Sequence, residues 1–112
     1  RLKLIQQSGE GILVLVDGLE EQEFCHSRLT RQEVRRLLAT MADTLQALPE
    51  ATQQAMPELD WPGWRTVMLA LASPPPSGDE AAWFAARALV PATLSWLRVY
   101  ERAEPALFAF RP

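Results

Sequence analysis

The side chains best suited to chemistry are the only cysteine and the only histidine, which are adjacent at Cys25 and His26. A nucleophile and its base must face each other, and neighbouring side chains point in different directions, so this pair does not form a catalytic couple. One cysteine and one histidine are also too few for a closed zinc site, which takes four ligands. We therefore predict a structural or surface role for both, with no metal, cofactor or catalytic residue.

A second candidate for chemistry is a group of arginines at the start of a predicted helix. The group comprises Arg28, Arg31, Arg35 and Arg36. It could be a patch that binds phosphate or an acidic partner. It could also be a solvated face whose charge is balanced by Glu20, Glu21 and Glu23, and we favour this interpretation. The net charge of −3 and the pI of about 5.1 provide no overall field that would attract nucleic acid.

The rest of the chain is organised around the stretch from Met56 to Ser73. Asp60 suits an N-cap and Pro62 suits a first turn, so a helix is predicted over about 64–72. It is apolar on almost every side, which predicts a buried, central position. Pro74–Pro76 then stop it, since one interior proline already costs about 3 kcal/mol.

The first segment, 2–16, has two possible structures. Its apolar residues fit one helical stripe interrupted by Gly9 and Gly11, whereas the run 12–16 also resembles a buried strand. We favour the helix, because no second strand is evident to pair with a first one. The two glycines then mark places where another helix approaches closely, and Gly18 suits the C-cap.

The second helix is the firmest prediction. Thr30 and Glu33 fit a capping box at its start. Its apolar stripe comprises Val34, Leu37, Leu38, Met41, Leu45 and Leu48. The segment 19–28 before it is predicted to be an acidic connection with Phe24 as its buried anchor, and 50–54 a loose turn or short helix.

The last predicted helix runs from about Glu80 to Arg102, with Asp79 as its cap. Pro91 should kink it, because a backbone hydrogen bond is lost there. An apolar tail follows at 106–110. The four tryptophans are expected to pack in the core rather than to stack on nucleic-acid bases.

These elements predict an all-α fold, an antiparallel four-helix up-and-down bundle with a short additional helix or turn. A length of 112 residues fits one domain spanning 1–112. The lone cysteine is consistent with a reducing compartment, and no segment approaches the roughly 20 apolar residues of a membrane span. We expect a cytoplasmic location.

Several short pieces follow the order and spacing of a known family. They are Glu23-Phe24, Leu29-Thr30, Leu48-Pro49-Glu50 and the stretch 57–61, Pro-Glu-Leu-Asp-Trp. Over roughly 2–103 the chain thereby resembles the HepT-like branch of the HEPN superfamily, which are small all-helical domains often encoded beside a minimal nucleotidyltransferase. The tail 104–112 lies beyond the match. The resemblance implies a helical bundle that forms a homodimer.

The family's ribonuclease motif, Arg-Asn-x-x-x-His-x-Tyr, would begin seven residues after Trp61. Its four specified positions are occupied here by Met68, Leu69, Ser73 and Pro75. By the same resemblance, Asp43 occupies an acidic position that could line the groove of the missing motif, and it could equally be an ordinary exposed polar residue on a helix. Arg65 lies about one helical turn from the expected arginine, which makes it a poor substitute.

The resemblance and these substitutions together predict a catalytically degenerate domain that binds protein, either itself or a minimal nucleotidyltransferase in a toxin–antitoxin-type pair. Two alternatives remain open at this stage. One is an active ribonuclease toxin that uses non-standard residues, and the other is a small nucleotide- or RNA-binding bundle.

Overall fold

The structure is a computed structural model that describes residues 2–74 and 77–108, and every regular element within these residues is helical. The predicted all-α class is therefore confirmed. In chain order the elements are α1 (Leu2–Val16), α2 (Glu21–His26), α3 (Arg28–Gln46), α4 (Glu50–Gln54), α5 (Trp61–Leu71), α6 (Ser77–Phe84), a π-helical turn (Ala85–Leu89), α7 (Val90–Ala103) and a 3-10 turn (Pro105–Phe108).

Helix α1 is continuous through both glycines, so the helical interpretation of this segment is confirmed over the strand. Each glycine faces another helix. A Cβ atom on Gly9 would lie 2.9 Å from the end of the Leu94 side chain on α7, and one on Gly11 would lie 3.3 Å from Leu37 Cδ1 on α3. The close approach predicted from the glycines is confirmed at both positions. Gly18 follows the helix with φ of +75°, a left-handed conformation that glycine adopts without strain.

The acidic connection contains a helix that was not predicted. At the start of α2, the Glu20 backbone N–H donates to Glu23 Oε1 over 3.0 Å, and Phe24 is fully buried as expected.

The capping box predicted at Thr30 and Glu33 is wrong. Helix α3 begins at Arg28, and the Ser27 hydroxyl accepts from the Thr30 backbone N–H, which places the cap three residues earlier. The short helix α4 occupies 50–54 as predicted.

Helix α5 has the predicted cap but not the predicted burial. Asp60 Oδ1 accepts from the Gly63 N–H over 2.8 Å, and the helix begins at Trp61 rather than near 64. Only Trp64 and Val67 on this helix are fully buried, and Leu69 is 77% exposed. The prediction of a central helix is therefore wrong. One stripe of α5 packs on α3 and α6, while Met68 and Leu71 are partly buried against the core and Leu69 remains uncovered.

The predicted long last helix is divided into α6, the π turn and α7. Asp79 lies in the first turn of α6, two residues after Ser77, so it is not the cap that was predicted. The interruption near Pro91 is confirmed. Proline cannot donate to a carbonyl one turn earlier and its ring displaces that carbonyl, so the chain widens into a π turn just before α7, where Pro91 occupies the first turn.

The core is formed by one cluster of buried side chains to which most of the helices contribute. Helix α1 packs on α3 and α7, while α3 also contacts α5 and α6. Of the four tryptophans predicted to pack in the core, only Trp64 is fully buried. Trp61 and Trp83 are partly buried against the core, and Trp96 is 39% exposed.

Of the predicted tail, 106–108 join the 3-10 turn, while 109 and 110 lie outside the described residues. No helix within 2–74 and 77–108 is long and apolar enough to span a bilayer.

Candidate functional site

Two of the candidate arginines converge on one buried carboxylate. Arg35 Nη1 lies 3.1 Å from Asp79 Oδ1, and Arg31 Nε lies 3.4 Å from Asp79 Oδ2. Each guanidinium also donates to a backbone carbonyl, Arg35 to that of Leu71 and Arg31 to that of Cys25. The cluster therefore joins α2, α3, the end of α5 and the start of α6.

Glycine at position 78 allows the cluster to form. A Cβ atom there would lie 2.5 Å from the Ser73 carbonyl oxygen and 2.9 Å from Arg35 Nη1. Real Cβ atoms do not come so close to backbone atoms, so a larger residue would push the start of α6 away from the Ser73 carbonyl and from the Arg35 guanidinium. The end of α5 and the start of α6 thereby both lie against the Arg35 guanidinium.

Little of the predicted basic patch is free to bind an anion, because most of its arginines already pair with carboxylates. Arg36 forms a two-point contact with Glu33, with both N···O distances 2.7 Å, and only Arg28 of the four lacks an ion pair in the described part of the chain. The predicted solvated face fits Arg28 and Arg36, which are exposed, but not Arg31 and Arg35, which are partly buried against Asp79. The acidic partners are Asp79 and Glu33 rather than the three glutamates before α3. Guanidiniums that already bind carboxylates are poor ligands for a phosphate.

The Cys25–His26 pair does not act together. His26 is exposed, and its Nδ1 lies 2.7 Å from the Gln22 carbonyl oxygen, so Nδ1 carries the proton that bonds there. Burial raises the pKa of the Cys25 thiol, and the negative charges of Asp79 and Glu21 raise it further. A thiol held in its neutral form is a weak nucleophile. Within residues 2–74 and 77–108, no three metal-binding side chains come together.

The four positions that the resemblance aligns with a ribonuclease motif fall in the second half of α5 and just after it. Met68 is partly buried against the core, Leu69 is exposed, and Ser73 lies next to the arginine cluster through its carbonyl oxygen. Pro75 lies outside the described residues. The cluster therefore occupies the neighbourhood where the family resemblance would place the motif histidine.

Asp43 and Arg65, the two predicted groove residues, are both exposed. They lie on α3 and α5, which pack together. Neither forms an ion pair within the described residues, and no side-chain hydrogen bond among these residues joins either of them to Ser73.

Comparison with protein-family models, curated proteins and solved structures gives no match for this chain. The resemblance to HepT-like domains therefore rests on the sequence pattern described above, and the functional argument rests on the geometry.

Asp79 is the residue whose role sequence reasoning missed. Its position before an apolar helix is typical of an N-cap, which is the role that the sequence predicts for it. Nothing in its local sequence indicates its two partners, which lie 44 and 48 positions earlier in the chain. The only sequence signal for the pairing is the crowding of arginines at the start of α3. Like charges one turn apart disfavour a helix unless something compensates them.

Proposed function

We propose that this chain is a non-catalytic HepT-like HEPN domain that acts by binding protein. It forms a two-fold dimer and binds a minimal nucleotidyltransferase in a toxin–antitoxin-type pair. The all-helical fold and the ordered sequence pieces support this assignment. We also infer that α1, α3, α5 and the α6–α7 unit form an antiparallel four-helix bundle, which is supported by the packing of α1 on α3 and α7, of α3 on α5, and of α5 on α6.

The observation that carries the proposal is the exposure of large apolar side chains on two neighbouring helices. Leu69 on α5 is 77% exposed and Phe84 on α6 is 59% exposed, and these helices pack against each other. Exposed apolar side chains on two packed helices could be buried together in an interface, where aromatic residues are enriched. We assign Leu69 and Phe84 to the dimer surface, which a two-fold axis would bury on both copies at once.

Light scattering at micromolar concentration tests this assignment. The unmodified protein is expected to be a dimer, and Leu69→Glu to be a monomer because it places two carboxylates in the interface. Val14→Glu is the matched control, since Val14 is 76% exposed on α1, and it should stay dimeric. A monomeric unmodified protein, or equal dissociation of both variants, would contradict the proposed surface.

Binding to a nucleotidyltransferase is a separate test. If a minimal nucleotidyltransferase is encoded beside this chain, the two purified proteins should elute together in size-exclusion chromatography. Separate elution at micromolar concentrations would remove this partner and leave self-association as the function.

The contacts of the arginines support binding of protein over chemistry on RNA. The chain has one histidine, which is exposed on α2, and Arg31 and Arg35 are occupied by Asp79. No observation favours the alternatives of an active ribonuclease or an RNA-binding bundle.

A further inference from the structure

An open groove of about 460 Å³ lies where α4 meets the beginning of α5. Its lining residues are Glu50, Gln53, Gln54, Pro57 and Trp61. Pro57 and Trp61 bound the Pro-Glu-Leu-Asp-Trp stretch, which the proposed dimer surface does not use. The groove therefore requires an explanation of its own.

Hydrogen bonds within the chain fix the walls of this groove. The Trp61 indole N–H donates to the Met56 carbonyl over 3.0 Å, and Gln54 Nε2 donates to Glu50 Oε1 over 3.2 Å. The Gln53 amide donates to three carbonyls at and just after the end of α3, those of Leu45, Gln46 and Leu48. A ligand would thus meet a preformed surface and would not have to order these side chains.

The groove is lined by one carboxylate, that of Glu50, and by no cationic side chain among its described lining residues, and the first cation after it in the chain is Arg65. Residues 47–64 include Glu50, Glu58 and Asp60 but no lysine, arginine or histidine. Glu58 and Asp60 accept from neutral donors, the Tyr100 hydroxyl and the Gly63 N–H, which leaves their charge in place. Within the described residues, no cationic side chain pairs with Glu50.

We propose that this groove binds the guanidinium of an arginine side chain presented by a protein partner. The guanidinium would stack on the exposed part of the Trp61 ring and donate to the Glu50 carboxylate, with the methylene groups against Pro57. A cation is attracted by the electron-rich face of an indole, and a planar guanidinium also stacks on it, which an ammonium cannot do. The chain already contains such a pair, because the Arg87 guanidinium carbon lies 5.5 Å from the Trp83 ring centre.

Nuclear magnetic resonance of ¹⁵N-labelled protein tests the proposal with N-acetyl-arginine methylamide as the probe. The Trp61 indole signal, assigned through Trp61→Phe, and the side-chain amide signals of Gln53 and Gln54 are expected to shift. The other three indole signals should stay in place. The matched control is the citrulline derivative, which has nearly the same shape without the charge and should bind more weakly, as should the lysine derivative.

Two charge variants distinguish binding of the arginine probe in the groove from its general electrostatic attraction to an acidic protein. Glu50→Gln should weaken binding about two- to fivefold, which is the range for one exposed ion pair. Glu10→Gln makes the same charge change on the exposed side of α1 and should leave the affinity unchanged. The assignment is overturned if citrulline or lysine binds equally well, if Glu50→Gln has no effect, or if no shift occurs at the solubility limit of the arginine probe. None of these outcomes depends on the proposed dimer, because Leu69→Glu tests that surface separately.

Discussion

The indole N–H of Trp64 donates a hydrogen bond to the Thr93 hydroxyl inside the core, with 3.0 Å between Nε1 and Oγ1. Both side chains are buried, with exposures of 1% and 2%. The bond joins α5 to α7 and satisfies the one polar atom of the largest core side chain. A tryptophan can therefore lie at this depth without an unpaired donor.

The first prediction concerns this bond. Thr93→Val keeps the shape of the side chain but leaves the indole N–H unpaired, so the free energy of unfolding should fall by about 1–3 kcal/mol. Thr66→Val is the control, since its exposed hydroxyl bonds only to the Pro62 carbonyl, and its effect should stay within about 0.5 kcal/mol. Urea unfolding measures both, and equal losses would show that the buried bond adds no stability.

The second prediction uses the two glycines of α1. Alanine gains about 1 kcal/mol over glycine inside a helix. At Gly11 the Leu37 side chain is 3.3 Å from the new methyl and has to move only slightly, so Gly11→Ala should be neutral or stabilising. At Gly9 the methyl would overlap the buried Leu94 side chain at 2.9 Å, and Gly9→Ala should be less stable than Gly11→Ala by about 1–3 kcal/mol.

A double variant identifies the cause of that difference. Leu94→Val shortens the side chain that the new methyl meets, so Gly9→Ala should cost less in a Leu94→Val background than in the unmodified protein. An unchanged cost in urea unfolding would indicate that crowding at Leu94 is not the reason.

Local signals in the sequence predicted α1 only together with a non-local argument, since this segment also fits a strand and no second strand was evident to pair with it. Local signals were also insufficient at the start of α3, where two of them compete. Ser27 and Thr30 can both cap α3, and the choice depends on α2, which packs beside α3. They also could not show that one side of α5 is uncovered, since its apolar pattern is the same whether or not a partner covers Leu69.

The candidate site could be predicted only in part, for a related reason. The crowding of arginines was visible, but their carboxylate was not, because Asp79 reaches them only after α6 folds back on α3. The groove beside Trp61 was equally hidden. Its acidity can be read from 47–64, while its walls depend on Gln53 capping the end of α3.

The third prediction concerns the arginine cluster. Asp79→Asn retains the shape of the side chain but removes the charge that Arg31 and Arg35 share, and both arginine side chains are partly buried. The free energy of unfolding should fall by about 1–3 kcal/mol. Glu33→Gln removes an exposed pair with Arg36 and should cost clearly less. Similar losses for the two variants would show that the cluster is no more than a surface ion pair.

The fourth prediction is a pH dependence. Burial, followed by the charges of Asp79 and Glu21, raises the pKa of the Cys25 thiol above its ordinary value. The neutral thiol is thus favoured in the folded protein, so the stability it contributes is complete below the unfolded pKa and is lost as pH rises through the folded one. The pH profile of alkylation by iodoacetamide should have a higher midpoint for folded than for urea-unfolded protein. Asp79→Asn should lower that midpoint, and coincident profiles would contradict the shift.

The fifth prediction is that the protein does not cleave RNA by the mechanism of the family it resembles. Metal-free cleavage needs a proton acceptor and a proton donor that titrate near neutral pH, and histidine meets this need whereas serine does not. Ser73 stands in the histidine position, and Met68 in the arginine position offers no donor to the phosphate. Loss of general acid–base catalysis alone costs about 10²–10⁴-fold in rate. Purified protein incubated with total RNA and with defined tRNAs should therefore leave both intact.

Two variants make this last test decisive. His26→Ala removes the only imidazole, so cleavage that survives it would identify a nuclease that uses other residues and would contradict the proposed function. A variant with Met68→Arg, Leu69→Asn and Ser73→His restores three of the motif positions. Leu69 is exposed in a single copy, so Leu69→Asn should leave the fold intact although it weakens the proposed dimer. Met68 packs against the core, so circular dichroism must first show that the variant is folded. Cleavage that appears only in this folded variant would show that the scaffold is that of a ribonuclease and that its activity was lost through these substitutions.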